Sequence, residues 1–260
     1  MKNLRTYGAA PYGIAVIHGG PGAPGQMAPV ARELSRDCGV LEPLQTVATL
    51  DGQVAELRDI IKKHGNPPIV LIGSSWGAML SYIFAARHPA LVKKLIMVGS
   101  AVFEDRYAAG IQKTRLNRLS EEETLGVYSL VKDLNDDVVS DKNHLLARLG
   151  ELFTKADAYD PITLDTEVLE VRFDIHDRVW NDAMKLRGSG ELLKFGKNIK
   201  CPVVAIHGDY DPHPAEGVRE PLSKVLKDFR FILLSHCGHL PWIEREARGE
   251  FFKIVREQLC

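Results

Sequence analysis

The chain has 260 residues, 45% of them hydrophobic and 26% charged, with a formal net charge of −1. Such a composition fills one large globular core, alone or with a smaller insert. Acids and bases are interspersed, so there is no basic footprint for a phosphate backbone, and no run approaches the roughly 20 apolar residues of a membrane span.

The opening stretch, MKNLRTYGAAPYGIAVIHGG, has no apolar region followed by a small-residue cleavage site, and a cytoplasmic chain is the expectation. GIAVIHG (13–19) is the first short apolar run of the kind that forms a buried parallel strand; GVLEPL (39–44) is a weaker one. In TLDGQVAELRDIIKKHG, Val54, Leu57, Ile60 and Ile61 share a helical face, with Thr49 or Asp51 placed to cap it. PPIVLIG (67–73) is the next strand, WGAMLSYIFAARHP a helix closed by Pro89, and KKLIMVGS (93–100) another strand.

The alternation then stops. From roughly 103 to 196 the chain is charge-rich and helical, with Ser120 and Glu123 at capping-box spacing before TLGVYSLVKDL. Strands resume at CPVVAIHG (201–208) and FRFILLS (229–235), and EREARGEFFKIVREQLC is an amphipathic terminal helix. The expected fold is α/β: a mostly parallel sheet with helices on both faces, formed by residues 1–102 and 197–260, with a helical insert at 103–196. Cys38, Cys201, Cys237 and Cys260 are scattered and suggest no disulfide framework.

Chemistry concentrates first at Gly73-Ser74-Ser75-Trp76-Gly77, which fits G-x-S-x-G between a strand and a helix. In a sharp strand-to-helix turn the residues two before and two after the apex nearly touch, so both are glycine. The apex, Ser75, projects its oxygen at a helix N-terminus, where partial positive charge favours an anion. Ser74 is the wrong apex, being flanked at the same distance by Ile72 and Trp76. A serine hydroxyl needs a base, and the base an orienting carboxylate. The strands ending at Gly208 and Ser235 run into DYDPHP and HCGHLPWIE, on the rim that Ser75 occupies.

In this order and spacing HGGPG, GSSWG, HGDYDP and CGHLPW resemble the α/β-hydrolase family, and HGGPG with GSSWG is most similar to its proline iminopeptidase branch. The resemblance covers nearly the whole chain and implies that fold, a serine hydrolase activity and a Ser-Asp-His order. On that match His239 is the base, with His236 its rival, and Asp211 is the orienting acid, with Asp209 its rival. The backbone N–H of Trp76 and, by the resemblance, that of Gly20 form the oxyanion site. His18 is a support for the HGGPG loop. The resemblance also makes the insert a lid, with Trp180, Arg187 and, on the core side, Trp242 as substrate-binding candidates. Trp76 and Trp242 flank the acyl pocket or merely pack. Glu104, Asp174 and Asp177 are candidates to hold a substrate amine.

The stretch GVLEPLQTVATLDGQ lacks the D-x-R-G-x-G-x-S run of the iminopeptidase branch, so the expectation is hydrolysis of an ester or amide, with aminopeptidase activity as the narrower alternative. The substrate is a small molecule or short peptide; no cofactor and no metal is implied. A competing arrangement, zinc held by His213, His236, Cys237 and His239, leaves the glycine-flanked serine unexplained. A binding protein on a hydrolase scaffold is the third alternative.

Overall fold

The structure, a computed structural model, describes residues 3–259. Cys260 lies outside them, and the other three cysteines are free thiols. Strands β1 (Leu4–Tyr7), β2 (Tyr12–Ile17), β3 (Gly39–Pro43), β4 (Ile69–Ser74) and β5 (Val92–Val98) form the first part of a sheet that β6 (Val203–Gly208) and β7 (Phe229–Leu234) complete. The order across it is β1-β3-β2-β4-β5-β6-β7, parallel except for β1, which runs antiparallel to β3. The strand β1 has no counterpart in the apolar-run reading. Of its four residues, Leu-Arg-Thr-Tyr, only Leu4 is fully buried, as at a half-covered edge, so no continuous apolar run marks it.

Burial follows position. The central strand β4 is buried at all six residues, whereas the edge strand β7 leaves Leu233 half exposed. Helices α1 (Ala28–Leu34) and α10 (Ala247–Leu259) cover one face, where Met27, Val30 and Leu34 meet Phe251, Phe252 and Val255. Helices α2 (Leu50–His64), α3 (Trp76–Arg87) and α9 (Glu216–Val225) cover the other. In α2 the predicted stripe is the buried one, and Thr49 is the cap: its hydroxyl accepts from the Gly52 amide at 3.1 Å. Helix α3 is buried all round and apolar all round, as a helix enclosed on every side must be.

Between β5 and β6 the chain forms α4 (Ile111–Leu116), α5 (Glu121–Leu134), α6 (Lys142–Asp157), α7 (Phe173–Gly188) and α8 (Glu191–Lys194). Ser120 and Glu123 make both hydrogen bonds of the capping box that starts α5. Helix α7 turns Ile175, Val179 and Ala183 into the same apolar cluster as α2 and α3. No helix among the described residues is long and apolar enough to cross a membrane.

The topology decides where a site forms. The crossover from β2 leads outward to β3, and the next returns past β2 to β4. Loops leaving the adjacent carboxyl ends of β2 and β4 therefore diverge and leave a crevice between them. Ile17 is paired with Gly73, so the HGGPG loop after β2 and the serine turn after β4 emerge side by side.

Candidate active site

Ser75 sits at the head of α3 with φ 51° and ψ −116°, a conformation costly for a residue with a Cβ. Its side chain makes no cap bond to the helix; its amide is held by the Val98 carbonyl of β5 at 2.9 Å. The need for glycine on both sides has two different causes. A Cβ on Gly73 would stand 2.2 Å from the Gly77 carbonyl oxygen, as a tight turn demands. A Cβ on Gly77 would instead stand 2.1 Å from the Ile17 carbonyl, so that glycine is required by the neighbouring strand β2 rather than by Gly73.

The HGGPG loop is locked to this turn. A Cβ on Gly19 would lie 3.1 Å from that of Ser75, and the Gly19 amide donates to Gln26 Oε1 at 2.9 Å. Gly20 follows with φ 33°, and among the described residues neither its amide nor that of Trp76 is used in a protein hydrogen bond. Two N–H groups beside Ser75 are thus available to an incoming oxygen. His18 is fully buried and donates from Nδ1 to the Gly19 carbonyl at 2.9 Å. Burial pushes its pKa down to about 4, so it stays neutral as a loop support.

The Trp76 indole is held by two glutamines. It is fully buried at the head of α3, and Nε1 donates to Gln45 Oε1 at 3.0 Å and to Gln53 Oε1 on α2 at 3.1 Å. Gln45 in turn donates to the His18 carbonyl, which ties the glycine loop to the serine turn through one amide side chain.

Asp211 follows β6 and His239 follows β7, and the two meet. His239 Nδ1 donates to Asp211 Oδ2 at 2.7 Å, with both side chains at least nine-tenths buried. Gly99, just beyond the Val98 carbonyl that holds Ser75, separates this pair from β5. With φ 50°, its added Cβ would lie 2.4 Å from the His239 carbonyl and 3.4 Å from Asp211 Oδ2. The end of β5 is therefore the common seat of Ser75, Asp211 and His239. Sequence reasoning passed over Gly99; a glycine directly after a strand on this rim was its only signal.

Burial works to raise the Asp211 pKa, but His239, His213 and His207 outweigh it and hold the carboxyl well below its usual range. For His239 burial works downward and the Asp211 carboxylate outweighs it, so the net shift is upward. The two rivals are occupied elsewhere. Asp209 Oδ1 accepts from the Cys237 amide at 3.1 Å, and the exposed His236 pairs with Glu246 at 2.8 Å.

The loop carrying His239 is fastened from below by Glu244, which sequence reasoning did not single out. This fully buried carboxyl group accepts from the amides of Gly238 (2.9 Å), Tyr159 (2.9 Å) and Asp160 (2.8 Å). The Asp157 carbonyl takes the His239 amide at 3.0 Å, and the Asp157 carboxylate grips Arg115 of α4 through two bonds of 2.7 and 2.6 Å. Glu244→Ala strands one buried and two partly buried N–H groups and is expected to destabilise the chain by about 2 kcal/mol, measured by urea unfolding.

The substrate candidates each engage other side chains. Trp242 is buried against Phe251, with ring centroids 6.1 Å apart, and borders an open groove of about 470 Å³ with Ile162 and Arg32. Pro241 begins the short 3-10 turn that carries Trp242. Arg187 is committed to Asp105 at 2.5 Å. Trp180 is half-buried and stacks on His176, one turn before it on α7. Glu104 and Asp174 pair with Arg106 and Arg172, and Asp177 bonds Asn181.

The four residues of the zinc arrangement do not assemble either, with His236 at the surface and Cys237 Sγ turned to its neighbour's carbonyl at 3.4 Å. Ligand atoms of Asp211, His213 and His239 do lie within 4.8 Å of one another, but as a hydrogen-bonded unit in which the carboxylate already takes both imidazole N–H groups.

Comparison with known proteins agrees with the fold. The chain is 23% identical over 225 residues to Lipase 1 of Psychrobacter immobilis, an alignment covering 84% of this chain and 65% of that lipase, so the chain spans less than two thirds of that relative. Among solved structures, a monoacylglycerol lipase of Paleococcus ferrophilus superposes with a TM-score of 0.66 at 17% identity, covering 100% of this chain and 98% of the other. A proline iminopeptidase of Mycobacterium smegmatis superposes with a TM-score of 0.63 at 17% identity, covering 98% and 93%. The family model for the alpha/beta hydrolase fold matches residues 43–246, which spans β4 and the serine turn, β6 and the loop of His239. With the strand order, the crevice and the seat on β5 all in agreement, the chain belongs to the alpha/beta hydrolase family.

Proposed function

We propose that the chain is a serine hydrolase that cleaves an ester bond through an acyl-enzyme intermediate. The observation that carries this reading is Ser75, forced to positive φ at a helix head whose neighbouring rim holds the buried Asp211–His239 pair. Nothing in packing calls for a serine in that conformation, and a strained residue beside an oriented imidazole is what acyl transfer needs.

In this reading His239 takes the Ser75 proton as Ser75 attacks the acyl carbonyl, and Asp211 steadies the imidazolium. The Trp76 and Gly20 amides hold the developing oxyanion, aided by the N-terminal end of α3. His239 then protonates the departing alcohol and, after its exit, draws a proton from water to release the acid. The helical region 103–196 serves as a lid. Its strap from Glu167 to Arg172 lies along the glycine loop, the Leu169 and Arg172 amides donating to the Pro24 and Gly22 carbonyls at 2.8 Å each. With His213 and His239 both less than a tenth exposed, this lid keeps water from the reacting atoms.

Esters are favoured over aminoacyl amides because the three acids that would hold a free amine are turned to Arg106, Arg172 and Asn181. The proline iminopeptidase neighbour keeps peptidase activity as the second reading. A panel of p-nitrophenyl acyl esters of rising chain length beside prolyl and other aminoacyl amides decides between them. We expect turnover of the esters with little of the amides; faster prolyl-amide cleavage overturns the ester reading.

A further inference from the structure

Asp211 carries a second imidazole that the proposed acyl transfer does not use. His239 Nδ1 occupies Oδ2, and His213 occupies Oδ1 twice, from its Nδ1 at 2.7 Å and its amide at 2.9 Å. The two imidazoles stack, with centroids 4.7 Å apart and planes 29° from parallel. Since each ring points Nδ1 at the same carboxylate, the Nε2 atoms of both point away from it, toward the same side. The local sequence is built to hold this. His213 stands between Pro212 and Pro214, so its own backbone is confined to extended conformations and the turn around it is stiff. The His213 carbonyl is itself fixed by His207 Nε2 at 2.7 Å.

We infer that His213 is a positioning residue for the hydrolytic step: by donating to the free oxygen of Asp211 and stacking on His239, it sets the orientation of that carboxylate and the strength with which it holds the protonated base. This rests on the Ser75–His239–Asp211 reading above. Without the imidazole, Oδ1 would keep only the His213 backbone amide and hold its orientation less firmly, and a carboxylate shared among several N–H groups is a weaker acceptor for each. The unit faces few other charges. His207 stands 3.6 Å from Oδ2 on β6, and Arg115 with Asp157 backs it from α4 and α6. Burial lowers the His213 pKa more than Asp211 restores it, whereas Asp211 outweighs burial for His239, so of the two imidazoles His239 is the better proton acceptor.

The sign of the effect follows. Removing the His213 donor concentrates the Asp211 charge on His239, which then holds its proton to higher pH, so the acid limb of reactivity moves upward. The test is the rate at which a fluorophosphonate probe labels Ser75 in the full chain, followed from about pH 5 to pH 9, since this readout needs no known substrate. We expect His213→Leu to slow labelling by between ten and about 100-fold, the scale of a misplaced catalytic group, and to raise the acid limb by about half a pH unit. In His213→Asn the amide nitrogen takes the place of Nδ1, and this variant should recover most of the rate and return the limb. Where His213→Leu does not fold, His213→Gln, whose amide reaches a bond too far, carries the same comparison. Equal labelling in Leu and Asn variants with an unmoved limb reduces His213 to packing and overturns the inference. A wild-type chain that the probe does not label, or labels equally in Ser75→Ala, overturns the nucleophile reading instead.

Discussion

Ser75→Ala is expected to lower ester turnover by about 10⁶-fold, the loss seen when a hydrolytic nucleophile is removed. His239→Ala should cost about as much, and the double variant scarcely more, because the two act on one proton and one bond. Both variants should stay folded. Ser75 makes no cap bond to α3, so alanine removes only its hydroxyl and relieves none of the turn. His239 leaves behind a loop still clamped by Glu244. The measurement is kcat on purified chain with thermal unfolding as the control. Residual turnover above about a hundredth of wild type in Ser75→Ala would show that another group attacks the ester. The pH profile should carry the mark of the base. Burial works to lower the His239 pKa and Asp211 outweighs it, so the group loses its proton only above the usual imidazole value of about 6.5. Turnover therefore falls as pH drops through that raised value and levels off above it.

Asp211→Asn is expected to reduce kcat by about 10⁴-fold, as in the serine-protease example of this substitution. The carboxylate accepts from His239 Nδ1; an amide NH₂ in the same place repels that N–H and favours the tautomer whose proton sits on the nitrogen meant for Ser75. The loss should come with a small change in KM, since Asp211 is fully covered. Asp209→Asn is the control. Asp209 Oδ1 receives the Cys237 amide, so its replacement loosens the loop after β7 without touching the imidazole. A modest drop in stability with kcat within about tenfold is expected there. If Asp209→Asn were as inactive as Asp211→Asn, the assignment of the acid would have to be abandoned.

These two expectations depend on different kinds of information. Ser75 was readable from a local pattern, because strand, turn and helix are consecutive and the turn's steric demand falls on Gly73 within the same five residues. Asp211 and His239 are separated from Ser75 by the whole helical insert, and it was the resemblance of HGDYDP and CGHLPW, with the freedom that Gly238 gives the loop, that chose them over Asp209 and His236. The substrate candidates rested on less. Trp242 was chosen for its place beside the triad motif, and Arg187 and the three acids for theirs in the insert that the resemblance makes a lid; position in the chain does not say which way a side chain points. Trp76 carries the same lesson, since the backbone stands beside Ser75 while the indole turns to Gln45 and Gln53.

What the chain's order of residues determined by itself was the set of parallel strands, the helices between them and the strained serine, because each depends on neighbours a few positions away: apolar runs, caps and glycines. Only the tertiary structure decided what surrounds that serine. Gly99 is a seat because β5 lies between β4 and β6; Gly77 is a glycine because β2 passes beneath it; Glu244 is a clamp because three amides from two distant segments converge on it. The same holds for His213 beside His239, 26 residues on, where a single carboxylate draws two imidazoles together. Contacts between segments far apart in the chain follow from sheet order and loop direction, and neither leaves a mark in any short stretch of residues.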